Sequence, residues 1–145
     1  MKLSGAESFA CDRETLFSKV TDTRFVTSII PDLERVEELT GDRIVCRVRP
    51  KLTFLSASLK MTMKLDHFTP PQRARLNIIG RGIGASIEIV TDLVLEPADA
   101  GSELHWTAEV VRREGLLKPV GDSLIQAAAE RVMADGWRML REAIA

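Results

Sequence analysis

The stretch EGLLKPVGDSLIQAAAERVMADGWRMLREAIA, residues 114–145, decides the fold. It reads as one long C-terminal helix. Small residues occupy its middle (Ala127, Ala128, Ala129, Gly136), and large apolar ones recur at helical spacing. Leu117, Gly121, Leu124 and Ala128 form one stripe; Ala129, Met133, Trp137, Leu140 and Ile144 continue it on a rotated face. A helix apolar over so much of its circumference has to be covered by something large. The segments before it are the candidate cover.

Those segments alternate with period two. Ser102–Arg113 is the strand nearest the helix, with Leu104, Trp106, Ala108 and Val110 on its apolar face, and Gly115 releases the chain into the helix. Pro119 falls in or near the first helical turn, where a missing N–H is tolerated. Before the Pro97–Gly101 turn, Ala85–Glu96 turns Ile87, Ile89, Leu93 and Leu95 one way and Glu88, Asp92 and Glu96 the other. Arg73–Gly80 does the same with Ala74, Leu76 and Ile78. Thr69-Pro70-Pro71-Gln72 is a turn. The longest strand is expected over Leu52–Phe68, with Leu55, Ala57, Leu59, Met61, Met63 and Leu65 inward. Arg43–Arg49, with Ile44, Cys46 and Val48 inward, pairs with Leu33–Leu39 through the turn at Thr40-Gly41-Asp42.

The N-terminal part differs. Residues 2–10 read as a strand, then Asp12 caps a short helix through Leu16, Phe17 and Val20. Asp22 caps a second, Thr23–Ile30, which Pro31 stops. A strand, two short helices, six strands in meander order and a long helix define an α+β helix-grip fold: a seven-stranded antiparallel curved sheet wrapping its C-terminal helix, in one domain over residues 1–145.

Composition narrows the function. Twenty basic and 21 acidic residues leave a net charge of -1, so no global field points to nucleic acid. Cys11 and Cys46 are isolated, which fits a reducing cytoplasm and offers no metal spacing. The first ten residues lack the apolar core of a signal peptide, and no run approaches the ~20 apolar residues of a membrane span. A cytoplasmic protein is expected.

Gly80-Arg81-Gly82-Ile83-Gly84 has the look of a phosphate loop, but a strand follows it where a dinucleotide fingerprint needs a helix. A flexible or bulged hairpin is the better reading, and its glycines would permit it to gate a cavity mouth as well. His67 and His105 have no Cys or His at ligand spacing, His105 faces outward beside Glu103, and no serine sits in a nucleophile elbow. No catalytic residue, metal ligand or cofactor is expected. On the outer sheet face Arg47, Arg49, Lys60, Lys64, Arg73 and Arg75 should form a basic side, and Glu88, Asp92, Glu96, Glu103 and Glu109 an acidic one.

The inner faces read either as a filled core or as a ligand cavity. Three features favour a cavity: small residues where the helix crosses the sheet, adaptable Met61 and Met63, and only five phenylalanines and two tryptophans to fill the space. The expected lining is Phe25 and Ile29 from the second short helix, with Leu59, Met61, Met63, Ile78, Ile87, Ile89, Thr91 and Trp106 from the sheet. Leu124, Ala127, Ala128 and Arg131 complete it from the helix.

The order of elements resembles the START-like (SRPBCC) superfamily. The segments Arg13-Glu14-Thr15-Leu16-Phe17, Ile30-Pro31-Asp32, Asp66 before Pro70-Pro71, Gly80–Gly84, and Ser102–Trp106 with Gly115 resemble the carbon monoxide dehydrogenase G-subunit family. That resemblance implies an accessory role beside a molybdenum hydroxylase such as carbon monoxide dehydrogenase, whose subunits would be the protein partner. Many members of the family carry a C-terminal membrane-anchoring extension; a chain ending at Ala145 is expected to have no stable membrane anchor. Cyclases of this fold place several polar groups in their cavity, whereas the inner faces here offer Thr91 and Arg131. The leading expectation is a non-enzymatic binder of an apolar, lipid- or quinone-like molecule. The alternatives are a polyketide cyclase- or dehydratase-like enzyme, and a filled-core protein whose outer face docks a partner.

Overall fold

A computed structural model describes residues 1–52, 54 and 57–144, with the backbone alone at His67. The elements run β1 (Lys2–Phe9), α1 (Arg13–Val20), α2 (Thr23–Thr27), β2 (Leu33–Leu39), β3 (Arg43–Val48), β4 (Leu59–Thr69), β5 (Arg73–Gly82), β6 (Ala85–Ala98), β7 (Gly101–Gly115) and α3 (Asp122–Ile144). All seven strands form one antiparallel sheet in the order β1-β7-β6-β5-β4-β3-β2. It is the expected helix-grip architecture.

Local chemistry sets the element starts. Asp12 accepts from the Thr15 N–H at 2.7 Å, which holds its carboxyl below the usual range, and Asp22 accepts from Arg24 at 3.0 Å. α2 ends at Thr27, short of the expected Ile30. Ser28 and Ile29 close onto Phe25 and Val26 in tight turns, and Ile30 precedes Pro31, which disfavours helical backbone there.

Two long elements start later than expected. β4 begins at Leu59 because Leu59 is the first residue facing β3 (Val48), and Lys60 the first facing β5 (Arg81). The expectations for Leu55 and Ser56 lie outside the described residues. The longest strand is therefore β7, not the one before Thr69. α3 begins at Asp122 rather than near Glu114, because β7 continues to Gly115 and turns occupy 116–120. Gly115 forces this break: its φ is +64°, and a side chain there would collide with the Gly84 carbonyl. Pro119 lies in the turns, outside the helix.

β-bulges redirect side chains. On edge strand β2, register shifts set aside Glu34 and Glu37, which reach Arg49 at 3.8 Å and Arg47 at 3.3 Å. The outer face is thus not simply basic on one side and acidic on the other: acidic residues border the basic strands on both flanks. Where β5 meets β6, Arg75 and Asp92 pair at 2.7 Å. On β7 the pairing jumps from Val110↔Ile89 to Arg112↔Glu88, so Val111 is the extra residue and every side chain after it changes face.

The helix is fixed at its C-terminal half. Trp106 and Trp137 meet with ring centroids 6.1 Å apart, Leu140 is fully buried among Leu16, Phe17 and Leu104, and Arg141 reaches Glu7 at 2.8 Å. Trp106 lies flat on Gly5, its partner on β1; a Cβ at Gly5 would sit 2.7–2.8 Å from three atoms of the indole. Gly5→Ala is therefore expected to destabilise the protein by roughly 1–3 kcal/mol in urea titrations. Trp106→Ala removes the indole altogether, so Gly5→Ala should cost less on that background; strict additivity of the two changes would contradict the contact.

Candidate functional site between sheet and helix

The buried apolar residues fall into three clusters instead of one. The first lies under the C-terminal half of α3, around Trp106, Leu93, Leu95 and Leu140. The second joins α2 to β3 and β4 through Val26, Ile30, Ile44, Cys46, Leu59 and Met63. The third lies at the start of α3, where Ile125 and Leu117 meet Ala85. Between them the inner face carries Met61, Leu76, Ile78, Ile87 and Ile89, all only half-buried. Leu76 packs against both the first cluster and the second and so links them, while the third stands apart at the start of α3.

α3 turns Ile125, Ala129, Met133, Trp137 and Leu140 towards the sheet. Ala128 beside them is half-buried, whereas Leu124, Ala127 and Arg131 are exposed, and Arg131 reaches only the Lys51 carbonyl at 3.4 Å. The helical wall is therefore rotated by about one residue from the expected Leu124, Ala127 and Arg131. The sheet residues converge better. Leu59, Met61, Met63 and Ile78 meet in the second cluster, Ile87 in the third, and Ile89 and Trp106 in the first; Phe25 and Ile29 pack against the first. Thr91 is buried on β6.

One polar residue of this region was not apparent from the sequence. The bulge at Val111 brings Arg113 opposite Ile87, on the inner face. Its side chain is 20% exposed and donates to the Val120 carbonyl at 2.8 Å and to Asp122 at 2.6 Å, tying the start of α3 to the sheet. Simple alternation along the strand assigns Arg113 to the outer face. The adjacent Val110-Val111 pair, which interrupts that alternation, was the available signal. Replacing Arg113 with Met should cost roughly 1 kcal/mol. It should speed amide exchange over 116–125 while leaving the Trp137 region unchanged; equal effects at both ends would argue against a local tie.

Other polar groups are structural. Ser102 donates to the Cys11 carbonyl at 2.8 Å, and His105 lies on the outer face 3.2 Å from Glu103 and 3.5 Å from Glu96. The indole nitrogens of Trp106 and Trp137 are buried without a partner. Among the described residues no three His, Cys, Asp or Glu side chains gather as a metal site. The Gly80–Gly84 run is a tight hairpin, with Gly82 opposite Ala85 across Ile83-Gly84, and not a phosphate loop. Two open hollows are present, of about 400 Å³ at Thr21–Arg24 and Leu39–Gly41, and of about 410 Å³ at the rim beside Met1, Arg113 and Asp122.

Cys46 belongs to the apolar wall. Burial, with Glu37 adding to it, pushes its thiol up to about 11, so at neutral pH it is protonated and not a nucleophile. Ellman's reagent should therefore label half-buried Cys11 first. Cys46 should label only as pH approaches 11 or on unfolding; two equally fast thiols at pH 8 would contradict its enclosure.

These features define a helix-grip protein with an apolar interior between sheet and helix. Its family follows from a match to the carbon monoxide dehydrogenase G-subunit (CoxG) family over residues 5–145, and the chain belongs to that family. No curated protein sequence matches it. Among solved structures, a conserved protein from Geobacillus kaustophilus superimposes with a TM-score of 0.89 at 15% identity, over 99% of this chain and 95% of that one. Ara h 8.0201 gives a TM-score of 0.69 at 14% identity, covering 99% and 97%. The AHSA1 protein from Silicibacter pomeroyi gives 0.68 at 16%, again covering 99% and 97%. At these identities the likeness is one of fold. No described helix is long and apolar enough to cross a membrane.

Proposed function

We propose that the protein is a non-enzymatic carrier holding an apolar, lipid- or quinone-like molecule between the concave sheet face and α3. The observation that carries this reading is the incompletely covered inner face: Met61, Ile78, Ile87 and Ile89 lie on it yet are only half-buried. Such surface is stabilised at about 25 cal/mol per Å² when a ligand removes it from water. The lining residues are those of the sheet named above, with Phe25, Ile29 and Ala128. Membership of the family supports a role accessory to a carbon monoxide dehydrogenase-type molybdenum hydroxylase, with that enzyme's subunits as the protein partner. Among the described side chains of the inner face, Thr91 and the tied Arg113 form no pair of groups suited to moving a proton, which lends the enzyme reading no support.

The test is extraction of the purified protein followed by mass spectrometry, with binding of a fluorescent apolar probe, N-phenyl-1-naphthylamine, to the stripped protein. A co-purifying lipid or quinone is expected, and Ile89→Trp or Ala128→Trp, which fill the space, should weaken the probe roughly tenfold or more. No extractable molecule together with no probe binding would overturn the carrier reading in favour of a filled core that docks a partner.

A further inference from the structure

The outer face of the sheet carries a charge arrangement that the carrier reading does not use. The register sets Arg35 opposite Arg47, Arg47 opposite Lys60 and Lys60 opposite Arg81, so four cations stand in one row across β2, β3, β4 and β5. Arg43 and Lys64 form a second opposed pair, four residues away along β3 and β4. Like charges directly opposite each other weaken strand pairing. Glu37 serves both Arg35 and Arg47, at 3.7 and 3.3 Å. Among the described residues no acidic side chain lies within ion-pair distance of Arg43, Lys60, Lys64 or Arg81. The sheet therefore keeps a destabilising pattern that its own carboxylates do not offset.

Between the two rows lies a line of less polar residues. Val45, Thr62 and Ile79 are successive partners across β3, β4 and β5. Val45 faces away from the second cluster, to which its neighbours Ile44 and Cys46 belong, yet it is only 4% exposed; Thr62 and Ile79 are half-buried. Long cationic side chains lay their stems along such surface and keep their charged heads outward. Acidic residues bound this strip on both sides, with Glu37 and Glu38 on β2, Glu88 on β6 and Glu109 on β7. These borders select the occupant. A broad anionic surface, whether a bilayer or a nucleic-acid duplex, would bring its own charges against them, whereas a narrow acidic segment of a protein lies between them. Four residues of extended chain at about 3.3 Å each separate the rows by ~13 Å. An extended segment with carboxylates four residues apart meets both rows and sets the residue midway over Val45, Thr62 and Ile79.

We infer that the outer face of β3, β4 and β5 is a docking strip for an extended acidic segment of a partner protein, with an apolar residue midway between its carboxylates. A fluorescein-labelled peptide with glutamates four residues apart and leucines midway should bind the full chain, read by fluorescence anisotropy in ~0.05 M salt, and should weaken strongly by ~0.5 M. Lys60→Glu/Lys64→Glu should weaken binding roughly tenfold or more. Arg24→Glu/Arg73→Glu makes the same change of charge at exposed cations off the strip and should leave it within about twofold. Lys60→Glu sets an acid between Arg47 and Arg81, so its urea midpoint should equal or exceed that of the parent chain, which separates lost binding from lost fold. Absence of peptide binding, equal loss in the two double variants, or equal binding of a peptide of the same composition with its glutamates adjacent would overturn the inference. So would tighter binding of single-stranded polyuridylate, or self-association of the chain that Lys60→Glu/Lys64→Glu abolishes. The inference does not rest on the carrier reading: extraction and N-phenyl-1-naphthylamine report on the opposite face of the sheet, so either can fail without the other.

Discussion

The structure depends on how α3 is held. It is fastened at two places and not along its length. At its C-terminal half Trp137 and Leu140 sink into the cluster around Trp106, and Arg141 reaches back to Glu7 on β1. At its start Ile125 and Leu117 pack on Ala85, and Arg113 ties Val120 and Asp122. Between these fastenings the helix presents small residues, Ala128 and Ala129, to a curved sheet. Two close-packed ends and a thin middle are what allow an interior to exist without the helix detaching. Burial of the ends supplies stability, since apolar area removed from water dominates over surface ion pairs of about 0.2–1 kcal/mol.

The sheet is built to leave its two edges far apart, and the short helices bridge them. β1 and β2 are the edge strands, with α1 and α2 between them in the chain. Their buried residues face different clusters: Leu16, Phe17 and Val20 the first, Val26 and Ile30 the second. The two bulges of β2 break the regularity of its free edge, and the charged Glu34, Arg35 and Glu37 stand on it, which discourages pairing with another sheet.

Much of this was legible in the sequence because strand faces have period two. Ile44, Cys46 and Val48, and Leu104, Trp106 and Ala108, all lie on the buried face that alternation assigns them. What alternation could not deliver depends on partners elsewhere in the chain. A bulge such as that at Val111 is fixed by the ladder opposite, so the inward turn of Arg113 could not be read from β7 alone. Likewise β4 starts opposite the ends of its antiparallel neighbours, not where its own apolar pattern does. On α3, Leu124 and Ile125 are both apolar and adjacent; which of them faces the sheet follows from the rotation fixed by Trp137 and Leu140. The three clusters are also a tertiary property, since inward-facing residues read alike whether or not the space between them is filled.

Gly115 has a mechanical consequence. At that residue β7 passes so close to the turn between β5 and β6 that no side chain fits, and the next N–H is bonded to Gly84. The two lips on this side of the interior are therefore hinged together and behave as a single leaf. A displacement of the hairpin is transmitted to the residues leading into α3, and a shift of that lead-in draws the hairpin along.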